Sequence, residues 1–372
     1  MHMLSGGKLT RRSLLRRGSL LGLLGPLALA AACASPAGTD VVAPSTPTDA
    51  GHAPGSTPAP GNLQAASTSA PLQTANEKVR LTYGKGGLAT VAQTRGVFEP
   101  SLLQQGISVE WIGPFPNHAP TMQAVSARSA DFSFGGSTTP ALAALLAGQP
   151  LKFVQMVYSR PRETAILVLP QSGIQQVADL VGKKVAANRS GLGEFLLIAA
   201  LEKYDVPRDK VETVYMDPPD SEPAFATGKV DAWSMWSGGR EVAEVKYGAV
   251  PIFVEENELS PDQQIDFGSY LVRDDYVNDH LNTIRAVMDA WKVEAAWAAA
   301  NEDAYIQIIN QDSGYPPEVV ARQAAYHTTS TYTPMTPDVV AQLQRSADWL
   351  TPRKIIPGQI DVAHYSVDIS AA

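Results

Sequence analysis

The chain has 372 residues, a formal net charge of −8 and 18% charged residues. That length exceeds one ordinary core and points to two lobes with additional segments, while the acidic balance argues against nucleic acid, whose phosphates need a basic face. A single cysteine, Cys33, rules out a disulfide framework or a thiolate metal site, and the six histidines are scattered with no helical metal-ligand spacing, so neither metal nor cofactor is expected.

Residues 1–32 read as an export signal. They hold Lys8, Arg11, Arg12, Arg16 and Arg17 and no acidic residue, with Arg11-Arg12 in a twin-arginine-like setting. The apolar run from Leu20 to Ala32 is too short to span a bilayer and no positive stop-transfer cluster follows it. Ala30, Ala31 and Ala32 lead into Cys33 as small residues lead into a lipoprotein cleavage site, although Ala30 stands where leucine is usual. Cys33 is therefore the expected lipidation site, and ordinary cleavage after Ala30 or Ala32, releasing a soluble protein, is the alternative. Residues 33–77 are rich in Pro, Ser, Thr, Ala and Gly and hold no aromatic residue. Such a segment cannot bury enough apolar surface to offset its ordering entropy, and we expect a disordered tether.

From Lys78 the texture changes. Val79, Leu81 and Tyr83 alternate with polar residues and predict a strand, which runs into Gly84–Gly87 and an apolar-periodic helix. Ile107, Val109 and Trp111 predict a second strand, Asp131–Phe134 a third and Phe153–Val157 a fourth. The rhythm repeats with strands at Thr164–Leu169, Lys183–Ala187, Val214–Met216, Ala232–Met235 and Ile252–Val254, then Ser269–Val272 and a run of helices. This βαβ order predicts a mainly parallel sheet in each of two α/β lobes, with helices on both faces and a ligand cleft outside the carboxyl ends of the strands.

Two strand-to-helix turns carry the chemistry. Ser137-Thr138-Thr139 and Asn188-Arg189-Ser190-Gly191 offer hydroxyls and free backbone N–H groups at helix starts, which suits an oxyanion; simple helix capping is the alternative. Arg160 and Arg162 end a strand and could clamp an anion or stand as solvated charges. Trp233 and Trp236 flank Ser234-Met235, so one is expected to line the cleft and the other to pack in the core. No nucleophile elbow or phosphate-binding loop is present in the sequence.

The chain resembles the aliphatic-sulfonate, taurine and nitrate group of ABC-transporter solute-binding proteins, most closely the aliphatic-sulfonate binders. The resemblance covers about residues 78–368 and is carried by Val125 to Phe134 with Gly136–Pro140, Glu163 to Val168, Asp179 to Val185, Pro218-Pro219-Asp220, Gly228 to Trp233 and Ile355-Ile356-Pro357. It implies a two-lobed type II periplasmic-binding fold with lobe 1 at 78–165 and 268–372 and lobe 2 at 166–267. It also implies an anion held by loops matching Gly86-Gly87-Leu88, Pro116-Asn117, Ser137-Thr138-Thr139, Ser190-Gly191 and Trp233–Trp236. Where many relatives continue the tryptophan into Asp-Pro-Tyr, this chain has Ser237-Gly238-Gly239.

The implied function is the extracytoplasmic, membrane-anchored component of an ABC importer, a monomer without enzymatic activity. Its partners would be a small-molecule anion, a membrane permease and the lipid at Cys33. An aliphatic sulfonate is the leading ligand; taurine, nitrate or a heteroaromatic vitamin precursor are alternatives. An exported enzyme on the same fold and a surface interaction module are the rival classes.

Overall fold

The computed structural model describes residues 76–370; the export signal, Cys33 and almost all of the tether lie outside the described residues. The chain opens with β1 (Glu77–Thr82), α1 (Leu88–Arg95), α2 (Phe98–Leu103), β2 (Ile107–Ile112) and α3 (His118–Ser126). The short β3 (Gly136–Ser137), α4 (Thr138–Leu146) and β4 (Leu151–Tyr158) complete the first pass through lobe 1. Lobe 2 contains β5 (Ala165–Val168), β6 (Lys184–Ala187), α5 (Leu192–Lys203), β7 (Glu212–Tyr215), α6 (Pro218–Ala226), β8 (Ala232–Met235), α7 (Gly239–Tyr247), β9 (Val250–Val254) and α8 (Glu255–Glu258). The chain then returns through β10 (Gly268–Arg273), α9 (Asp274–Ala300), α10 (Glu302–Asn310), α11 (Pro317–Tyr326), β11 (Thr331–Pro334) and α12 (Pro337–Leu350).

Lobe 2 is built on a sheet of order β7-β6-β8-β5-β9. All four residues of β5 are fully buried. Successive side chains point to opposite faces, so Ala165 and Leu167 pack with Phe225 and Trp233, while Ile166 and Val168 pack with Phe195 and Leu197. Lobe 1 carries the order β11-β4-β10-β3 and the parallel pair β1–β2. Phe132 joins them by bridging Leu81 on one side and Val272 on the other. It is the only residue of the expected strand 131–134 that forms such a bridge; the short strand falls instead on Gly136–Ser137.

The expectation of mainly parallel sheets holds for strand direction in lobe 2, where β6, β7, β8 and β9 run one way and β5 alone runs against them. Between the named strands the parallel ladders are β1–β2, β6–β7 and β6–β8, and the pairs made by β5, β10 and β11 run antiparallel. The reason lies in the two crossings between lobes. A strand enters parallel to its neighbour only after a crossover connection, usually helical. β5 and β10 arrive directly from the other lobe and lie against the direction of the strands they join.

The core of lobe 1 centres on Phe153 and Met156 of β4, Leu142 and Leu145 of α4, and Leu343 and Leu350 of α12. Helix α12 starts after Thr336, whose hydroxyl accepts from the Val339 N–H, with Pro337 in the first turn, and it buries Val339, Leu343, Ala347 and Leu350 along one stripe. A second cluster packs Trp291 of α9 4.4 Å from Phe98, 5.9 Å from Trp111 and 6.0 Å from Tyr270, measured between ring centroids. These aromatic rings back one wall of the cleft.

Candidate functional site

The loops after the parallel strands converge. Gly84, Lys85, Gly87 and Leu88 follow β1; Phe115, Pro116 and Asn117 follow β2; Asn188, Arg189 and Leu192 follow β6; Asp217 follows β7; and Trp236 follows β8. Together they enclose a cavity of about 520 Å³ between the lobes, in the size range of sites for small organic ligands. Tyr270, Trp291, Tyr305 and Tyr332 add an aromatic wall from lobe 1. Across the cavity the Asn117 side-chain amide donates to Asp217 Oδ1 at 3.4 Å, linking loops of opposite lobes.

Local chemistry explains these turns. Asn117 caps α3 by accepting from the Ala119 N–H at 3.2 Å. Gly87 and Gly191 are the extended first caps of α1 and α5, and neither makes a side-chain capping bond. At α1 no side chain takes the first amides, which suits an anion, whereas at α5 part of the first turn is already engaged by the chain's own side chains. A Cβ on Gly191 would lie 1.8 Å from Asn188 Nδ2, so glycine is required for the close approach of Asn188. Asn188 Oδ1 in turn accepts from the Gly193 N–H at 2.8 Å, and the Ser190 N–H is held by Glu194 Oε2 at 2.7 Å. Gly136 is constrained likewise, since a Cβ there would meet the His118 ring at 2.4 Å.

The hydroxyls of the Ser137–Thr139 turn face an internal partner. Asp266 Oδ1 accepts from Ser137 Oγ at 2.7 Å, Thr138 Oγ1 at 3.2 Å, Thr139 Oγ1 at 2.7 Å and the Thr139 N–H at 2.9 Å. The oxyanion at the start of α4 is thus supplied by the chain, as the helix dipole favours. Thr138 and Thr139 are fully buried and lie outside the cavity lining, while Ser137 lines it.

The other sequence-derived candidates divide the same way. Gly87, Leu88, Pro116, Asn117 and Trp236 line the cavity; Gly86, Ser190, Gly191, Trp233, Arg160 and Arg162 do not. Trp233 is buried in the lobe 2 core, 5.7 Å from Phe225 between centroids. Arg160 and Arg162 both pair with Glu256 and stand outside the cavity lining. The cationic side chains that do line the cavity are Lys85 and Arg189. The Arg189 guanidinium lies 3.7 Å over the Tyr215 ring, an arrangement that uses its face and leaves its in-plane N–H donors open.

Four carboxylates also line the cavity: Glu163, Asp217, Glu255 and Asp266. Burial pushes Glu163 up to about 7, reinforced by Glu241 and Glu256 and opposed by Arg240. Burial pushes Glu255 well above the usual carboxylate range, reinforced by Asp266 and Glu163. It raises Asp266 as well, against the donors from Thr139, Ser137 and Thr138. His118 is buried and pushed down to about 4, so it is neutral; its Nδ1 bonds the Ser137 carbonyl at 2.9 Å and its Nε2 the Ser133 hydroxyl at 3.2 Å. Both ring nitrogens are thereby committed to holding the Ser137 turn.

Sequence reasoning missed Glu163, Glu255, Asp266 and the tyrosines. A signal for the acids was available: each sits beside a crossing between lobes, and crossing segments necessarily border the cleft. Among the described residues no group of three or more histidine, cysteine or acidic side chains is arranged to hold a metal.

The family described as NMT1/THI5 like matches residues 88–304, more than half of the chain. The chain belongs to the NMT1/THI5-like family. Within that family setting, an Escherichia coli protein named for aliphatic-sulfonate binding is 26% identical over 303 residues, covering 81% of this chain and 92% of its own length. The alkanesulfonate-binding protein SsuA from Xanthomonas axonopodis pv. citri, solved bound to MOPS, superimposes with a TM-score of 0.70 at 26% identity, covering 77% of this chain and 97% of its own. The desulfurization enzyme DSZB shares the fold at a TM-score of 0.57 and 16% identity, covering 78% of this chain and 96% of its own. The family member described here therefore has the two-lobed periplasmic-binding fold.

Proposed function

We propose that this protein is the extracytoplasmic solute-binding component of an ABC importer and that it captures a small organic sulfonate between its lobes. The observation that carries this reading is the cavity of about 520 Å³ walled by strand-end loops of both lobes, in a chain whose well-covered relatives are named for sulfonate binding. A ligand touching both walls favours the closed arrangement by its differential affinity for it.

The sulfonate oxygens would sit near Gly87 and Leu88 at the uncapped start of α1 and near Leu192 at the start of α5, whose Gly193 N–H is already taken by Asn188. Lys85 and Arg189 supply the charge, since the excess of acids in the chain provides no long-range attraction for an anion. The protein performs no reaction on its ligand: the likeness to DSZB is one of fold, and the histidine in the cavity wall has both nitrogens engaged by Ser137 and Ser133. We also propose that it works as a monomer tethered to the membrane through lipid on Cys33, where a permease receives the ligand.

A thermal-shift panel of alkanesulfonates, taurine, nitrate and sulfate tests this reading. Organic sulfonates should raise the melting temperature of the protein, and much less that of Arg189→Ala. A panel in which sulfonates give no shift while nitrate or another class does would overturn the ligand assignment.

A further inference from the structure

Arg189 lines the cavity from the turn between β6 and α5. A long side chain on a turn loses rotamer entropy when a ligand fixes it, unless it is already held in place. Behind Arg189 stand three side chains that do hold it and that lie outside the cavity lining: Tyr215, Glu194 and Arg208. Tyr215, at the end of β7, presents its ring to the Arg189 guanidinium at 3.7 Å. The Tyr215 hydroxyl donates to Glu194 Oε1, which also accepts from Arg208 Nη2 at 2.9 Å. The other oxygen, Glu194 Oε2, accepts from the Ser190 N–H at 2.7 Å. A single carboxylate, on a residue only 3% exposed, therefore ties the ring under Arg189 to the backbone of the same turn.

The turn needs that tie. Ser190, directly after Arg189, has a φ of 48°, in the left-handed region that a residue with a side chain occupies at a cost. Charge balance points the same way. Arg208 pairs with Glu194 and is itself anchored by donating to the Arg353 carbonyl at 2.7 Å, so the charge of Glu194 is met on the side away from Arg189. Burial, reinforced by Glu194, pushes the Tyr215 hydroxyl above its ordinary range, so it stays a donor to that carboxylate.

We infer that Tyr215 and Glu194 are positioning residues for anion capture: neither touches the ligand, and together they hold the Arg189 guanidinium with its face on the ring and its edge donors free for an oxyanion. The inference rests on the sulfonate reading above and deepens it, because it assigns a support to the charged contact that the reading places at Arg189. Stacking spends the face of the guanidinium and leaves the planar fork of N–H donors that matches an oxyanion.

The test is a double-mutant cycle, read by calorimetric titration with butane-1-sulfonate and with each variant checked for an intact fold by circular dichroism. Tyr215→Leu removes the ring face and should weaken binding about two- to thirty-fold, the span of one cation–π contact. Tyr215→Phe keeps the face, loses only the bond to Glu194 and should lose less. In an Arg189→Ala background Tyr215→Leu should have no further effect, because a positioning residue acts only through the group it positions. Glu194→Gln, which keeps the shape and loses the charge, should show the same dependence on Arg189 and serves where Tyr215→Leu does not fold. A residue that merely supports the lobe would weaken binding by the same factor in both backgrounds. That equality, or parent-like affinity of Tyr215→Leu and Glu194→Gln, overturns the inference and leaves the sulfonate reading intact. Failure of the parent itself to bind butane-1-sulfonate overturns the sulfonate reading and this inference with it.

Discussion

The Thr139 hydroxyl donates to Asp266 Oδ1 at 2.7 Å, across 127 positions of sequence. The first helix turn of α4 in lobe 1 is thereby fastened to the segment that returns the chain from lobe 2. The Ser137–Thr139 turn looks locally like an oxyanion site and is occupied by the protein's own carboxylate.

Thr139→Val should therefore act on stability and not on ligand affinity. The loss of one hydrogen bond to a buried acid is expected to cost about 1.5–3 kcal/mol in denaturant unfolding, with sulfonate binding unchanged. A variant of full stability that binds every sulfonate ten-fold more weakly would return these hydroxyls to the ligand site.

The arginines separate by the same logic. Arg189 lines the cavity with its edge donors open, whereas Arg162 is tied to Glu256. Arg189→Ala should weaken sulfonate binding about ten- to a hundred-fold, and Arg162→Ala should leave affinity nearly unchanged. Titration of both variants with one sulfonate decides the matter; the reverse order would place the anion at the hinge.

Stability should depend on pH through two opposed groups. Glu163 is pushed up to about 7 by burial, so the folded chain keeps a proton that the unfolded chain releases above the ordinary glutamate value of 4.5. Its contribution is fully present below 4.5 and is lost as pH rises towards 7. His118, pushed down to about 4 by burial from an ordinary 6.5, acts oppositely: its contribution is present above 6.5 and is lost as pH falls towards 4. Relative to the parent, Glu163→Gln should thus become progressively more stable as pH is raised from 4.5 to 7. Unfolding curves for the two ligand-free proteins that stay parallel across that window would show that Glu163 is ionised in the folded state.

Much of the architecture was legible because it is local. Alternating Val79 and Leu81, the apolar run at Ala165–Val168 and the helical spacing of Ile284, Val287, Met288 and Trp291 each report burial within a few residues. The direction of β5 and β10 was not legible, because both owe their orientation to a crossing between lobes. The site was half legible for the same reason. The family resemblance pointed to Gly87, Leu88 and Asn117, and strand alternation to one of Trp233 and Trp236, of which Trp236 lines the cavity with the other three. Asp266 as acceptor for Thr139, and Glu256 as partner of Arg160 and Arg162, depend on contacts 94 or more positions apart, which no local pattern reveals.

Ligand should also tighten the lobes. Asn117 and Asp217 meet across the cavity at 3.4 Å, a contact that is formed only when the two loops are close. Small-angle scattering should show a smaller radius of gyration with saturating sulfonate than without. Asp217→Ala should leave the ligand-bound radius larger than in the parent. Superimposable profiles for the parent with and without ligand would contradict a closing clamp.

The central claim, binding of an organic sulfonate without turnover, is tested most directly by native mass spectrometry of the protein equilibrated with butane-1-sulfonate. Mass analysis of whatever is released on denaturation completes the measurement. The account predicts a single ligand per chain, recovered with its mass unaltered. An unliganded chain at millimolar ligand, or a released product lacking the sulfonate group, would contradict it.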